Sequence, residues 1–278
     1  MLQLPEVTLV CVDTRDPMLA LPVLQRCMRL ARFAEVLLFT DAARLTSVPA
    51  GIRIIDVQID SVPAYSQFML RGLLPHVQSS HLLVVQWDGF IVDADAWDPA
   101  FLQYDYIGAL IRDAAPGRAV GNGGFSLRSR RLLQALLDPE ITPTHPEDLC
   151  ICDQHRSRLE AVHGIRFAPP ELAARFAFER IEPSGPTFGF HGLFNFDRVL
   201  PADELRQQVM ALPDHLARGL DAHDLCRRLI AQGSPASLDL AAELIAKRRR
   251  LGMHDRRTWR LRLQLLWRRG LKRGLAAR

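Results

Sequence analysis

The sequence predicts an α/β domain built on a mostly parallel, doubly wound sheet, with helices added at its C-terminal end. From residue 7 to about 110, strand-like and helix-like stretches alternate, the pattern that puts helices on both faces of a parallel sheet. Residues 81–86 form a compact apolar run of the sort found in strands covered on both faces. From Asp203 onward the periodicity is helical throughout.

The elements follow in order. Residues 7–12 are apolar and β-branched and read as a strand. Residues 17–33 place Leu24, Cys27, Met28 and Ala31 at helical spacing. Short strands follow at 36–40 and 52–57, set apart by Asp, Pro and Gly. Residues 65–76 read as a helix with Phe68, Met69 and Leu73 on its apolar face. After the run at 81–86 comes a Gly-rich turn, Gly121-Asn122-Gly123-Gly124, then a strand at 125–127 and a helix at 130–137. A helix is expected at 149–162, and short strand-like pieces at 165–168 and 187–190. The economical division is an α/β domain over 1–200 and a helical extension over 201–278.

Composition excludes several classes. At 278 residues, 48% hydrophobic and 24% charged, the chain can bury a sizeable core. It has no apolar run near the length of a bilayer span. Residues 1–5 lack a basic segment followed by an apolar one, so no secretory signal is expected. The five cysteines, an odd number without CxxC pairs, point to reduced thiols and a cytoplasmic chain, not to a disulfide framework or zinc site. The net charge of +4 hides a strong asymmetry. Residues 247–278 carry 13 Lys/Arg against the single acid Asp255, or +12, and the other 246 residues hold 22 basic and 30 acidic groups, or −8.

In a parallel sheet ligands bind beyond the carboxyl ends of the strands, so polar residues directly after strands are the first candidates. These are Asp13-Thr14-Arg15 and Gln86-Trp87-Asp88-Gly89. Asp88 follows a buried strand, is expected to be solvent-accessible, and could hold a divalent cation, while Gly89 lets a ligand approach the backbone. An Asp that merely opens a turn would look the same. A literal DxD occurs at Asp93-Ala94-Asp95, where a helix cap is the simpler reading. The turn at 121–124 could offer N–H groups to a sugar or phosphate, although Asn-Gly also marks tight hairpins. Glu147 and Asp148 stand side by side at a helix start, where acids can serve as bases or complement the helix dipole. His191, between glycines at a strand end, is accessible enough to bind metal.

In order, these pieces form a pattern: "HLLVVQWDGFIV", "FLQYDYIGA", "VGNGGFSLRSRRLL", "HPEDLCICDQHRSRLE", "IRFAPPELAARFAFE" and "TFGFHG". It resembles a bacterial and fungal family of unknown function that is itself similar to GT-A glycosyltransferases. The resemblance spans residues 5–197 or so and stops before the basic end. It implies a GT-A-like fold and a sugar transfer from a nucleotide-sugar donor to an acceptor hydroxyl, of a glycan or a lipid-linked acceptor, with Mn²⁺ or Mg²⁺. Asp88 would match the last acid of the metal-binding DxD, with Gln86 standing at the first position, and His191 would be the further metal ligand. Asp148, with Glu147 beside it, resembles the acidic pair that supplies the base of an inverting reaction. Gly123 and Gly124, with Asn122, would lie along the donor sugar. Asp13, Thr14, Arg15 and Tyr65 would lie near the nucleotide, and Gln86, Trp87 and Gly89 would also bind the donor.

At the C-terminal end, Trp259, Leu263, Leu266 and Trp267 fall on one helical face among Arg256, Arg257, Arg260, Arg262, Arg268 and Arg269. A basic amphipathic helix over 247–278 suits an anionic membrane surface, giving a cytoplasmic chain peripheral on the inner face. The alternative is a terminal helix that packs its Trp and Leu onto the protein. No nucleic-acid motif accompanies the charge, and no nucleic-acid partner is expected. Two rival readings belong to other classes: a glycan- or nucleotide-binding protein without catalysis, for which Gln86 is the argument, and a membrane-associated scaffold.

Overall fold

The computed structural model describes residues 1–115 and 117–276. The end of the basic stretch, residues 277 and 278, lies outside the described residues. The chain divides into two compact units, Met1–His191 and Gly192–Arg278.

The first unit holds β1 (Leu2–Val12), β2 (Ala31–Thr40), β3 (Arg53–Asp56), β4 (His81–Val85), β5 (Tyr106–Gly108) and β6 (Ser126–Ser129). They form one sheet in the order β3-β2-β1-β4-β6-β5. β1 pairs in parallel with β2 and β4, and β2 with β3, whereas β6 runs antiparallel to both of its neighbours. The fold is the α/β class with a mostly parallel sheet that the alternation predicts. β4 lies between β1 and β6, and all five of its residues are buried, which is why it reads as an unbroken apolar run.

α1 (Pro17–Leu30) joins β1 to β2, and α2 (Val62–Arg71) lies between β3 and β4. Both begin with a proline in the first turn, where its missing N–H costs nothing. α1 stops short of the residue 33 that periodicity suggests, because Ala31, Arg32 and Phe33 pair with Leu2, Gln3 and Leu4 of β1. Ladder hydrogen bonds there outweigh helical propensity. α2 likewise ends at Arg71, before Pro75, and a 3₁₀ turn, Leu74–His76, completes the connection.

After α3 (Arg130–Ala135) the expected helix at 149–162 is broken up. α4 (Glu147–Leu149) leads into a π-helical turn, Cys150–Gln154, and then α5 (Arg156–His163) and α6 (Pro170–Phe176). The piece at 165–168 is no strand; only Phe167 bridges to Tyr106. β5 has three residues, too few for a periodic signal. β7 (Ala177–Phe178) and β8 (Gly189–Phe190) make a short parallel pair.

The second unit is helical: α7 (Phe196–Val199), α8 (Ala202–Ala211), α9 (Asp214–Arg218), α10 (Leu220–Gln232), α11 (Pro235–Arg250) and α12 (Arg256–Ala276). The basic stretch does not begin as a free tail. Arg248 is 2% exposed, and its Nη1 donates to Ala217 O at 2.6 Å and to Gly219 O at 2.9 Å. Lys247 Nζ donates to Met210 O and Leu212 O at 2.8 and 2.6 Å. These cations close helix ends within the unit, so removing residues 247–278 would cut into a packed structure. Among the described residues no helix is long and apolar enough to cross a membrane.

Leu83 of β4 pairs with Leu9 of β1 and Leu127 of β6, and all three are fully buried. Leu83→Ala is expected to lower stability by about 2–5 kcal/mol, read as a fall in the urea midpoint with unchanged slope.

Candidate functional site

The strand order reverses at β1: β2 and β3 lie to one side and β4 to the other. Val10 and Cys11 pair with Val84 and Val85, so the two strands end together. Asp13 and the segment after Val85 therefore stand at the switch point where α/β sheets bind ligands.

Beyond β4 the chain closes a tight turn. Gln86 N donates to Gly89 O at 3.2 Å and Gly89 N to Gln86 O at 3.0 Å, leaving Trp87 and Asp88 at the tip. The segment that follows pairs with the end of the unit: Ile91 bridges Gly189, and Val92 N donates to Phe188 O at 2.9 Å. Phe90 and Phe190 meet edge to face at 4.7 Å. This pairing brings His191 to Asp88, with Nε2 3.5 Å from Asp88 Oδ1. The same Nε2 lies 3.1 Å from Gln86 Oε1, and Gln86 Nε2 donates to Tyr65 Oη at 2.9 Å. On the other side of the ring, Nδ1 is 3.5 Å from Glu179 Oε1.

Asp88 is 5% exposed, not accessible as expected. The turn and His191 cover it, and the imidazole supplies the counter-charge that a buried carboxylate needs. Burial by itself would lower the His191 pKa, but Asp88 and Glu179 outweigh it and raise it to about 10. The ring is then an imidazolium with a proton on each nitrogen. Asn122, the one residue of the turn at 121–124 with positive φ (63°), brings its amide to 3.1 Å from Nδ1. The Asn122 side chain also hydrogen-bonds the Glu179 carboxylate, so its NH2 end lies on this side of the ring, and Asn122 Oδ1 is a buried atom with no hydrogen-bond partner among the described residues.

Gly123 and Gly124 are glycines because of close approach. A Cβ on Gly124 would lie 2.1 Å from His191 Nε2, and one on Gly123 would lie 2.3 Å from Glu147 Oε1. The Gly123 N–H expected to face a ligand donates to Asp148 Oδ2 at 3.2 Å.

The acidic pair divides. Glu147 is 6% exposed and takes Arg128 Nη2 at 3.3 Å. Arg128 is fully buried, donates from Nε to Ser126 Oγ at 3.0 Å, and stands 5.7 Å over the Tyr106 ring. Asp148 is half-buried and is held by the Gly123 and Leu149 N–H groups. The two acids thus sit in different surroundings, one locked in an ion pair and one holding a backbone turn.

The residues expected near the nucleotide are engaged locally. Asp13 Oδ1 accepts from Arg15 N at 3.0 Å and Asp16 N at 2.7 Å; burial raises its pKa, and these N–H groups offset only part of that rise. Thr14 Oγ1 donates to Ile59 O at 2.8 Å, and the Arg15 side chain is 68% exposed. Asp93 caps a 3₁₀ turn, accepting from Asp95 N at 2.9 Å, as the simpler reading of that DxD has it. Sequence reasoning missed Glu179 and Arg128. Glu179 directly follows β7, and an acid after a strand is the signal that also marks Asp88. Arg128 lies within a strand and gives no such signal.

The family described as "Protein of unknown function (DUF5672)" matches residues 52–191, half of the chain. The chain belongs to this family. The DUF5672 segment holds the turn after β4, the turn at 121–124, the acidic pair, Glu179 and His191, and it leaves out Asp13-Thr14-Arg15 and the helical unit. Among curated proteins no sequence matches significantly. Solved structures with some likeness include the mannosyltransferase PcManGT from Pyrobaculum calidifontis, in complex with GDP-Man and Mn²⁺. It shares 13% identity at a TM-score of 0.40, over 98% of this chain and 80% of that one. The apo form of the glycosyltransferase GlyE of Streptococcus pneumoniae shares 11% at 0.38, and the match spans 66% of this chain and about half, 53%, of GlyE. S. aureus TarS 1–349 shares 11% at 0.37, over 94% of this chain and 88% of that one. At such scores these likenesses carry no argument about activity.

Two measurements check the site. Glu147→Ala leaves Arg128 as a buried unpaired charge and should cost about 3–5 kcal/mol by urea unfolding, with Asp148→Ala well below that. The His191 pKa lies above its unfolded value of 6.5, so the stability it contributes is full below that pH and is lost as pH rises through about 10. The gap in urea midpoint between the natural protein and His191→Gln should therefore shrink steadily across that window.

Proposed function

We propose that this protein is a glycosyltransferase that moves a sugar from a nucleotide-sugar donor to an acceptor hydroxyl, with inversion and with a divalent cation. The reading rests on one observation above all: Asp88 and His191 converge within 3.5 Å at the switch point of the sheet. The sequence pattern that resembles GT-A enzymes supports it independently.

The cation has to fit the residues present. Among the described residues no group of three His, Cys, Asp or Glu side chains is gathered for a metal. Mg²⁺-type sites on nucleotide substrates need only one or two protein carboxylates, since phosphate oxygens and water complete the shell. Asp88 Oδ1 and His191 Nε2, 3.5 Å apart, would be neighbours on one ion once the cation displaces the Nε2 proton, and Glu179 on the far side of the ring would hold the Nδ1 proton. The pair fits. Bound there, Mn²⁺ or Mg²⁺ would supply counter-charge to the diphosphate leaving group.

The chain's own residues do the rest. Gly123 and Gly124 let Glu147 and His191 close onto the turn, and the donor sugar would lie beside the site so formed. Asp148, aimed by the Gly123 N–H, takes the proton of the acceptor hydroxyl as that oxygen bonds to the anomeric carbon and the bond to the diphosphate oxygen breaks. A single displacement of this kind inverts the anomeric carbon. Glu147, committed to Arg128, keeps the turn in place and moves no proton. The acceptor would be a glycan or a lipid-linked saccharide, reached from the cytoplasmic side. All five cysteines are free and buried, in keeping with a reducing compartment.

A thermal-shift screen of nucleotide sugars with and without Mn²⁺ identifies the donor. With that donor, Asp148→Asn should lower kcat about 10²-fold or more and leave donor affinity nearly unchanged. Equal turnover, or a product that keeps the donor's anomeric configuration, overturns the inverting carboxylate mechanism. If no nucleotide sugar binds under either condition, a glycan-binding protein without catalysis is the better reading.

A further inference from the structure

The face of α12 that packs is the reverse of the one its large side chains occupy. Thr258, Leu261 and Leu265 are buried against the helical unit. Trp259, Leu263, Leu266 and Trp267 are instead 59%, 43%, 55% and 62% exposed. At helical spacing these four share one stripe, with Arg256 within it, Arg260 on one side and Arg262 on the other. Two tryptophans and two leucines left in water on a helix that already has a buried face call for a partner.

Beside the stripe, α10 and α12 enclose a cleft of about 310 Å³ whose described lining includes Arg227, Arg228, Arg268, Gln264 and Trp267 and no acid. Arg228 is held by both oxygens of Asp197, at 2.8 and 2.9 Å. Arg227 is 64% exposed, with Asp224 only at 3.9 Å, and Arg268 stands 5.6 Å over the Trp267 ring. Trp267 belongs to both stripe and cleft, so the two make one continuous surface. It joins guanidinium groups, which suit phosphate oxygens, to an amphipathic aromatic strip, which suits the headgroup level of a bilayer.

We propose that α12 and its cleft with α10 dock the protein on an anionic bilayer, with a phospholipid phosphate in the cleft and the Trp–Leu stripe in the interfacial layer. Charge complementarity selects this occupant: α12 presents the exposed Arg256, Arg257, Arg260, Arg262 and Arg268 around the stripe, whereas residues 1–246 sum to −8 and would be repelled by the same surface. Orientation follows, since only this helix face meets the lipid. The inference is independent of the sugar-transfer reading, because its test uses neither donor nor acceptor.

The test is co-sedimentation of the full chain with phosphatidylcholine vesicles, with and without phosphatidylglycerol, at low and high salt, and tryptophan quenching by brominated phosphatidylglycerol. Binding should require the anionic lipid and weaken with salt. Arg227→Ala with Arg268→Ala should weaken it about 30-fold, at ~1 kcal/mol per cation near the surface. Trp259→Ser with Trp267→Ser should abolish the quenching. All four positions lie at the surface or in the cleft wall, and an unchanged thermal melt confirms that the variants fold. Equal binding to pure phosphatidylcholine, or equal binding and quenching by the variants, overturns the proposal. So does a lipid-free dimer that the Trp substitutions dissolve, which would make a second copy of the chain the occupant.

Discussion

Asp88 is a carboxylate at the end of a fully buried strand, and an ionised group there needs a counter-charge delivered from elsewhere in the chain. His191 provides it from a position more than a hundred residues later. The delivery depends on modest pieces of backbone: the bridge from Ile91 to Gly189, the hydrogen bond from Val92 to Phe188, and the edge-to-face contact of Phe90 with Phe190. Around the resulting pair the other features find their places. Gly124 is a glycine because the imidazole fills the space a Cβ would take, and Gln86 is oriented between His191 and Tyr65. Glu179 and Asn122 close the far side of the ring.

A second constraint separates two acids that look equivalent in the chain. Glu147 and Asp148 are adjacent at the start of α4, so their side chains leave the helix in different directions. One meets a guanidinium with no exposure to water, and leaving either member unpaired there is expensive. The other meets a backbone N–H and keeps contact with solvent. A general base has to be able to take and release a proton, and a carboxylate held in a buried ion pair is poorly suited to that. The division of labour proposed for the pair follows from burial, with no appeal to residue type.

The helical unit reuses its basic residues for two purposes. Lys247 and Arg248 satisfy carbonyls at helix ends, a structural use of charge. The arginines of α12 are spread around a helix that packs by a narrow face of Thr258, Leu261 and Leu265. Small and branched residues make that contact. The bulkier tryptophans are thereby left for the surface, and the charge near them is what gives that surface a preferred partner.

Much of the fold was legible in residue order. Strands β1 to β4 announce themselves by apolar, β-branched runs between turn residues, and the helices between them by periodicity, because both signals arise from contacts within a few residues. The candidates Asp88, His191, Gly123 and Asp148 could be named for a similar reason: position after a strand or at a helix start is local information. What the sequence could not determine is everything set by long-range contact. Pairing with β1 ended α1 early, and a helix expected as one piece became α4, a π turn and α5. Asp88, expected in water, is buried by a histidine from the far end of the unit, and Glu179 and Arg128 acquire roles only through the groups they meet. Residue order by itself determined which side chains are on offer. Only the tertiary structure decided which of them are desolvated together, and desolvation governs the strength of a charge and the choice of its partner.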